Sequence, residues 1–268
     1  MTVTSGYHAS DGAAYEVFLG RWTQRLAGPL VEFAELPGTG RLLDAGCGTG
    51  SLARFMAARW PARRVTGIDV AAPYIVYAQT QPRGDNLAFA VADAARLPFA
   101  DRSFDGVVTQ LVLNFVPDPV AALVEMKRIL APGGRLAAAV WDFRGGLVYQ
   151  RMFWDTAAGI DPGAATARDR LFSGALALPE GLPRAFAAAG LERIEQASLT
   201  IRMDYASFDD YWQPLCGGQG PVGTYLLSLA PDLRDRVAEA VARSYRSGAP
   251  DGPRSLTATA WAVRGQVT

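Results

Sequence analysis

Short apolar runs alternate along the chain with stretches whose apolar residues recur at helical spacing. Arg41 to Asp44 is the first run and predicts a buried strand. Ser51 to Arg59 follows as a helix, with Leu52, Phe55 and Met56 on one side. Between them lie Gly46, Gly48 and Gly50, which let the backbone turn sharply and approach a ligand with no Cβ in the way. The alternation then continues. Strands are predicted at Val65–Asp69, Leu87–Asp93, Phe104–Gln110 and Arg135–Trp141, with helices at about 71–79 and from Asp118 to Leu130. A helix over 179–189 ends at Gly190, a sixth strand covers 191–201, and a last one covers 255–264. Strand and helix in turn predict a doubly wound α/β sheet with one main core.

The N-terminal stretch from Ala13 to Leu36 also has helical spacing, through Tyr15, Phe18, Leu19, Trp22, Leu26, Leu30 and Phe33. Gly20 and Gly28-Pro29 are expected to break it into two or three short helices.

The glycine turn departs from a dinucleotide fingerprint. That pattern needs G-x-G-x-x-G, whereas here the third glycine falls at Gly50 and Ser51 takes its place. Asp44 precedes the turn, and Asp69 closes the next strand nineteen residues after Gly50. This D-x-G-x-G-x-G arrangement resembles motif I of the class I S-adenosylmethionine-dependent methyltransferases. It is most similar to the small-molecule branch typified by the ubiquinone/menaquinone-biosynthesis enzymes (methyltransferase type 11). Leu130-Ala131-Pro132-Gly133-Gly134 and Ala94 to Phe99 also have counterparts in that family. The resemblance implies a Rossmann-like seven-stranded sheet, mostly parallel, whose last strand inserts antiparallel between the fifth and sixth.

It also implies a cofactor site for S-adenosylmethionine, with S-adenosylhomocysteine as product. This ligand has no pyrophosphate for a helix N-terminus to hold. It has a ribose diol that a carboxylate can accept from, the expected role of Asp69, and an ammonium that Asp44 can attract. Asp93, at the end of the third strand, is matched to the adenine amino group, with a helix N-cap as the plain alternative. Gly46, Cys47, Gly48 and Gly50 of the turn, with Val70, Ala94 and Gln110 at the strand ends, complete the expected set. In the N-terminal segment, Tyr15 and Arg21 are candidates for the cofactor's carboxylate, against the alternative of a core edge and a surface residue.

The implied layout has a helical flap at 1–36, the cofactor core at 37–141 and a first lid insertion at 142–178. Core follows at 179–201, a second lid insertion at 202–254, and the final core strand at 255–268. Both insertions leave the sheet at the edge where open α/β folds bind ligands, so they are expected to build the acceptor pocket. They hold Phe143, Tyr149, Phe153, Trp154, Phe172, Tyr205, Phe208, Tyr211, Trp212, Tyr225 and Tyr245. Each taken singly is better explained as packing within the insertion. As a set they favour an apolar or aromatic acceptor.

Composition narrows the partners. Lys+Arg and Asp+Glu are 26 each, so no net field draws in nucleic acid or an anionic membrane. The run Asn114-Phe115-Val116-Pro117 also lacks the Asn/Asp-Pro-Pro-Tyr turn of DNA adenine methyltransferases, and no Pro-Cys dipeptide marks a cytosine enzyme. Two cysteines make no disulfide framework, no His/Cys/Asp group has metal spacing, and no apolar run is long enough to span a bilayer. A cytoplasmic monomer or homodimer acting on a small molecule is expected.

Methyl transfer is an in-line displacement for which positioning and exclusion of water can supply most of the catalysis. Proximity without a dedicated base is the favoured mechanism. His8, the only histidine, is the first alternative base, with Asp142 and Glu16 as others. The competing function is a regulatory or scaffold protein that binds the cofactor without turnover. Non-methyl chemistry on the same scaffold is a third possibility.

Overall fold

A computed structural model describes residues 11–268. Its core is a seven-stranded sheet of β1 (Leu42–Ala45), β2 (Val65–Asp69), β3 (Leu87–Val91), β4 (Phe104–Gln110), β5 (Leu130–Trp141), β6 (Glu192–Tyr205) and β7 (Arg254–Gln266). The spatial order is β3-β2-β1-β4-β5-β7-β6. β7 runs antiparallel to both β5 and β6, while the remaining strands share one direction. The order reverses between β1 and β4, and a ligand crevice forms outside the strand ends at such a point.

The helices are α1 (Gly12–Tyr15), α2 (Arg21–Ala34), α3 (Ser51–Arg59), α4 (Ala72–Thr80), α5 (Pro119–Arg128), α6 (Val148–Ala158), α7 (Pro162–Phe172), α8 (Gly181–Ala188), α9 (Phe208–Cys216), α10 (Gly220–Ser228) and α11 (Pro231–Arg246). The two-residue period of the strands sorts their side chains between two cores. Leu42, Val108, Ala137 and Ala139 face α2, α3 and α4, where Leu26, Leu30, Leu52, Met56 and Ile75 are buried. Leu43, Val107, Leu136, Ala138 and Val140 face α5 and α8, against Leu123, Met126, Leu182 and Phe186. Consecutive residues thus serve opposite layers, which is why these strands read as unbroken apolar runs.

Three predicted boundaries change. Gly28-Pro29 does not end α2; the helix runs through Pro29 because Leu26, Ala27, Leu30, Val31 and Ala34 are all buried along one face. Burial outweighs the local cost of proline, and a Cβ at Gly28 would already touch Phe55 of α3. Gly20 likewise does not break the chain: α1 passes into α2 through one π-helical turn, Glu16–Gly20. Pro132-Gly133-Gly134 lies inside β5 as an irregularity, with pairing to β4 jumping from Phe104↔Leu130 to Gly106↔Arg135.

The segments between β5 and α8 and between β6 and β7 are helical and join the α2-side core. Phe153 and Trp154 meet edge to face at 5.0 Å, and Phe208 stacks on Trp212 at 5.7 Å. Tyr211 packs against Tyr205, Phe208 and Tyr245. The Tyr211 hydroxyl donates to the Tyr149 carbonyl at 2.8 Å, fixing α9 to α6. No helix among the described residues is long and apolar enough to cross a membrane.

Phe153 is fully buried within this aromatic group. Phe153→Ala is expected to lower unfolding stability by about 3–5 kcal/mol through lost burial and the cavity left behind. A urea titration followed by tryptophan fluorescence measures it. A loss under about 1 kcal/mol would mean that these helices are not part of the cooperative core.

Candidate functional site

The glycine turn leaves β1 with φ of +79° at Gly46, +53° at Gly48 and +92° at Gly50, all in the left-handed region that favours glycine. It is held from the neighbouring strand. The Gly46 and Cys47 N–H groups both donate to the Ile68 carbonyl, at 2.8 and 2.7 Å. The Gly48 N–H donates to Asp69 Oδ2 at 2.9 Å, and the Ala71 N–H to Asp69 Oδ1 at 2.8 Å. A Cβ at Gly46 would overlap the Val112 side chain, so that face of the turn is sealed. A Cβ at Gly48 would meet nothing closer than Tyr15, at 3.8 Å, so this face is open.

The open face belongs to a cavity of about 450 Å³, a size suited to a small ligand. Tyr15 of α1, 5.0 Å from Tyr74 of α4 between ring centroids, stands over the turn. Asp69, Val70, Asp93 and Ala94 line the same half from the ends of β2 and β3, and Gln110 lines it from the end of β4. The far half is formed by Phe18 and Leu19, Phe115 and Val116, Trp141 and Phe143, Tyr149 and Gln150 of α6, and Gly220-Pro221. Among the described residues Asp69 and Asp93 are its only carboxylates, and no arginine or lysine lines it.

The expected residues therefore divide. Tyr15, Gly46, Gly48, Asp69, Val70, Asp93, Ala94 and Gln110 are brought together around the cavity. Gly50 is not on the wall: it caps α3, and a Cβ there would meet Phe89 at 2.6 Å. Cys47 is buried beneath the turn, where desolvation pushes its thiol pKa well up. Arg21 stands elsewhere, because Asp210 of α9 takes its guanidinium at 3.0 Å and the Trp22 ring stacks against it at 4.2 Å. Leu97, which the family resemblance would set against the adenine, is buried in the α5-side core instead of on the cavity wall. Of the insertion aromatics only Phe143 and Tyr149 reach the cavity; the others pack on one another. His8 lies outside the described residues. Glu16 accepts from the Thr49 hydroxyl, and Asp142 Oδ1 accepts from the Arg144 and Gly145 amides.

Two carboxylates carry the electrostatics of the near half. Asp69 is pushed up from the usual carboxylate range by desolvation, opposed by the backbone N–H groups of Ala71, Gly48 and Val70. Asp44 is buried beneath the turn, and neither of its oxygens has a hydrogen-bond partner of ordinary geometry. Desolvation pushes its pKa up to about 8; the nearby Asp69 charge adds to this, and the Ala53 N–H at the start of α3 opposes it. Asp93 Oδ1 accepts from the Ala95 N–H at 2.8 Å, a turn within its own loop.

No sequence signal marks Leu111, which follows β4 at φ +65°, a strained conformation for a leucine, with its N–H donating to Ala139 O at 2.8 Å. Gln150 does carry a sequence signal. It shares the i, i+3, i+4, i+7 face of α6 with Phe153, Trp154 and Ala157, so a polar side chain stands on a buried stripe.

Residues 43–138 match the family model of the methyltransferase domain. The chain is 38% identical over 99 residues to a ubiquinone/menaquinone biosynthesis C-methyltransferase of Desulfotalea psychrophila, covering 37% of this chain and 40% of that relative. It is 39% identical over 118 residues to a demethylmenaquinone methyltransferase of Thermus thermophilus, covering 43% and 52%. The matches thus span about half or less of these relatives' length. A phosphoethanolamine N-methyltransferase 2 of Haemonchus contortus, solved with phosphomonomethylethanolamine and S-adenosylhomocysteine, superimposes with a TM-score of 0.59. That likeness covers 98% of this chain and 58% of the other at 17% identity, and it is one of fold.

The Asp44 carboxyl predicts a pH dependence in the ligand-free protein. Its folded pKa of about 8 lies above the unfolded value near 4, so the folded state binds more protons between those limits. This contribution is fully present below the unfolded pKa and is lost as pH rises through the folded one, at up to about 1.4 kcal/mol per pH unit. Asp44→Asn should remove that slope and be relatively more stable at pH 8 than at pH 5. Urea midpoints at both pH values measure it, and equal pH dependence in the two proteins would contradict the assignment.

Proposed function

We propose that this chain, which carries a methyltransferase domain over residues 43–138, is an S-adenosylmethionine-dependent methyltransferase acting on a small, largely apolar or aromatic metabolite. The observation that carries this is the division of one cavity. The open face of a glycine turn and two strand-tip carboxylates form one half, and an uncharged, mainly aromatic wall forms the other. The curated relatives support it, as methyltransferases named for quinone biosynthesis.

The residues present fit the cofactor. Gly48 offers a surface that a Cβ would fill, beneath the Tyr15 ring. Asp69 spends one lone pair of each oxygen on backbone N–H groups, which leaves acceptor capacity for a ribose diol. Asp93 is assigned to the adenine amino group, with Val70 and Ala94 along the base. A cationic amine bound beside Asp69 and Asp44 would be favoured by the Asp69 charge and would draw Asp44 back toward its charged form. Arg21 is left out, since Asp210 and Trp22 already hold it. Residues 142–178 and 202–254 are assigned as lids over the acceptor half, with the described part of 1–36 as the flap.

When bound, S-adenosylmethionine supplies a methyl group already activated on a sulfonium. The chain's own contribution is then to bind the acceptor in line and keep water out. Among the described residues of the acceptor half, Tyr149 alone is titratable, and desolvation pushes it up to about 12. It is therefore no base near neutral pH, and positioning carries the catalysis there. Isotopic methyl transfer from S-adenosylmethionine into a small-molecule extract tests turnover directly. A gain of fourteen mass units by an apolar metabolite supports the proposal. Tight cofactor binding with no methylated product supports the regulatory alternative.

Asp69→Ala is expected to weaken S-adenosylhomocysteine binding by about 1–3 kcal/mol, from lost charge-assisted hydrogen bonds and a loosened turn. Isothermal titration calorimetry measures the change, and unaltered affinity would remove Asp69 from the site.

A further inference from the structure

The acceptor half holds polar atoms that the fold leaves unused. Tyr149 is almost fully buried on the cavity wall. Its hydroxyl oxygen accepts from Gln150 Nε2 at 2.9 Å, and its carbonyl accepts from the Tyr211 hydroxyl. The first bond holds the hydroxyl and the second the backbone of Tyr149, and neither uses its O–H proton. Trp141 Nε1 and Gln150 Oε1 are likewise buried and without a partner, and both residues line the same cavity. A buried donor left unpaired is costly, which makes a bound group that pairs with it strongly preferred.

We propose that Tyr149, held by Gln150, is a specificity-determining hydrogen-bond donor that recognises an oxygen atom of an uncharged aromatic acceptor, such as a ring-bound ketone. This rests on the methyltransferase reading above. The surroundings decide the charge of the ligand. Among the described residues no arginine or lysine lines the cavity, so a carboxylate would lose its hydration with no cation there to offset it. The carboxylates, Asp69 and Asp93, are on the cofactor side and would repel it further. A cationic amine would bring only donors to a wall that presents Tyr149 O–H and Trp141 N–H as donors against one free acceptor, Gln150 Oε1. A neutral carbonyl accepts from such donors while its ring lies among Phe115, Phe143 and Phe18. The high Tyr149 pKa keeps the phenol protonated throughout the neutral range.

Three probes that differ in one substituent test this: acetophenone, benzoate and benzylamine, titrated by calorimetry into protein saturated with S-adenosylhomocysteine. Acetophenone should bind at least about fivefold tighter than either charged analogue. Tyr149→Phe should abolish that preference while S-adenosylhomocysteine affinity stays unchanged. Gln150→Leu, which frees the hydroxyl to rotate, should reduce the preference by about half and serves should Tyr149→Phe fold poorly. Stronger binding of benzoate or benzylamine, binding of none of the three, or an unchanged preference in both variants would overturn the proposal. Failure of S-adenosylhomocysteine itself to bind would instead strike the cofactor assignment, so the two are read separately.

Discussion

Asp69 accepts from the Gly48 and Ala71 amides at once, and through those two bonds the end of β2 holds the turn that follows β1. Charge-assisted bonds of this kind contribute on the order of 1.5–3 kcal/mol each. Ile68 adds a carbonyl that takes two more N–H groups from the same turn. The turn cannot relax toward ordinary backbone angles while these bonds hold, and only glycine tolerates the angles they impose. The open face at Gly48, the sealed face at Gly46 and the burial of Asp44 all follow from this one anchorage. A further bond, from the Ala92 N–H to the Asp69 carbonyl, carries the same order to β3.

The other half of the cavity is stabilised differently. Its wall residues on α6 are positioned by the aromatic group behind them, where Phe153, Trp154 and Tyr225 pack and Tyr211 bonds to the Tyr149 carbonyl. Edge-to-face and tilted rings in close contact give a stiff backing with few alternative packings. One half is thus set by backbone hydrogen bonds and the other by side-chain packing. Among the described residues charge lies only on the first.

How much of this the sequence revealed follows the range of the interactions concerned. Strand, glycine turn and helix are local, so Leu42 to Arg59 and the acids at Asp69 and Asp93 could be placed from spacing and motif. Helix continuity through Pro29 could not, because it depends on burial against Phe55 and the sheet, which local breaker rules ignore. Arg21 was misplaced for the same reason: its partner Asp210 lies 189 positions away. The insertions showed their aromatic content but not which rings face inward. Tyr149 and Trp154 look alike in sequence, and only the three-dimensional packing gives one to the cavity and the other to the core.

The Tyr74 hydroxyl donates to Gln219 Oε1 at 3.1 Å, and Gly220-Pro221 beside that contact closes one side of the cavity. Pro221 is also the last residue in chain order to line it. On the ribosome the glycine turn and all three acidic strand tips emerge long before this wall exists. A growing chain stopped short of it would hold the motif and still lack an enclosed chamber. The enclosure of the cavity is therefore completed late in synthesis, well after the recognisable segment has left the exit tunnel.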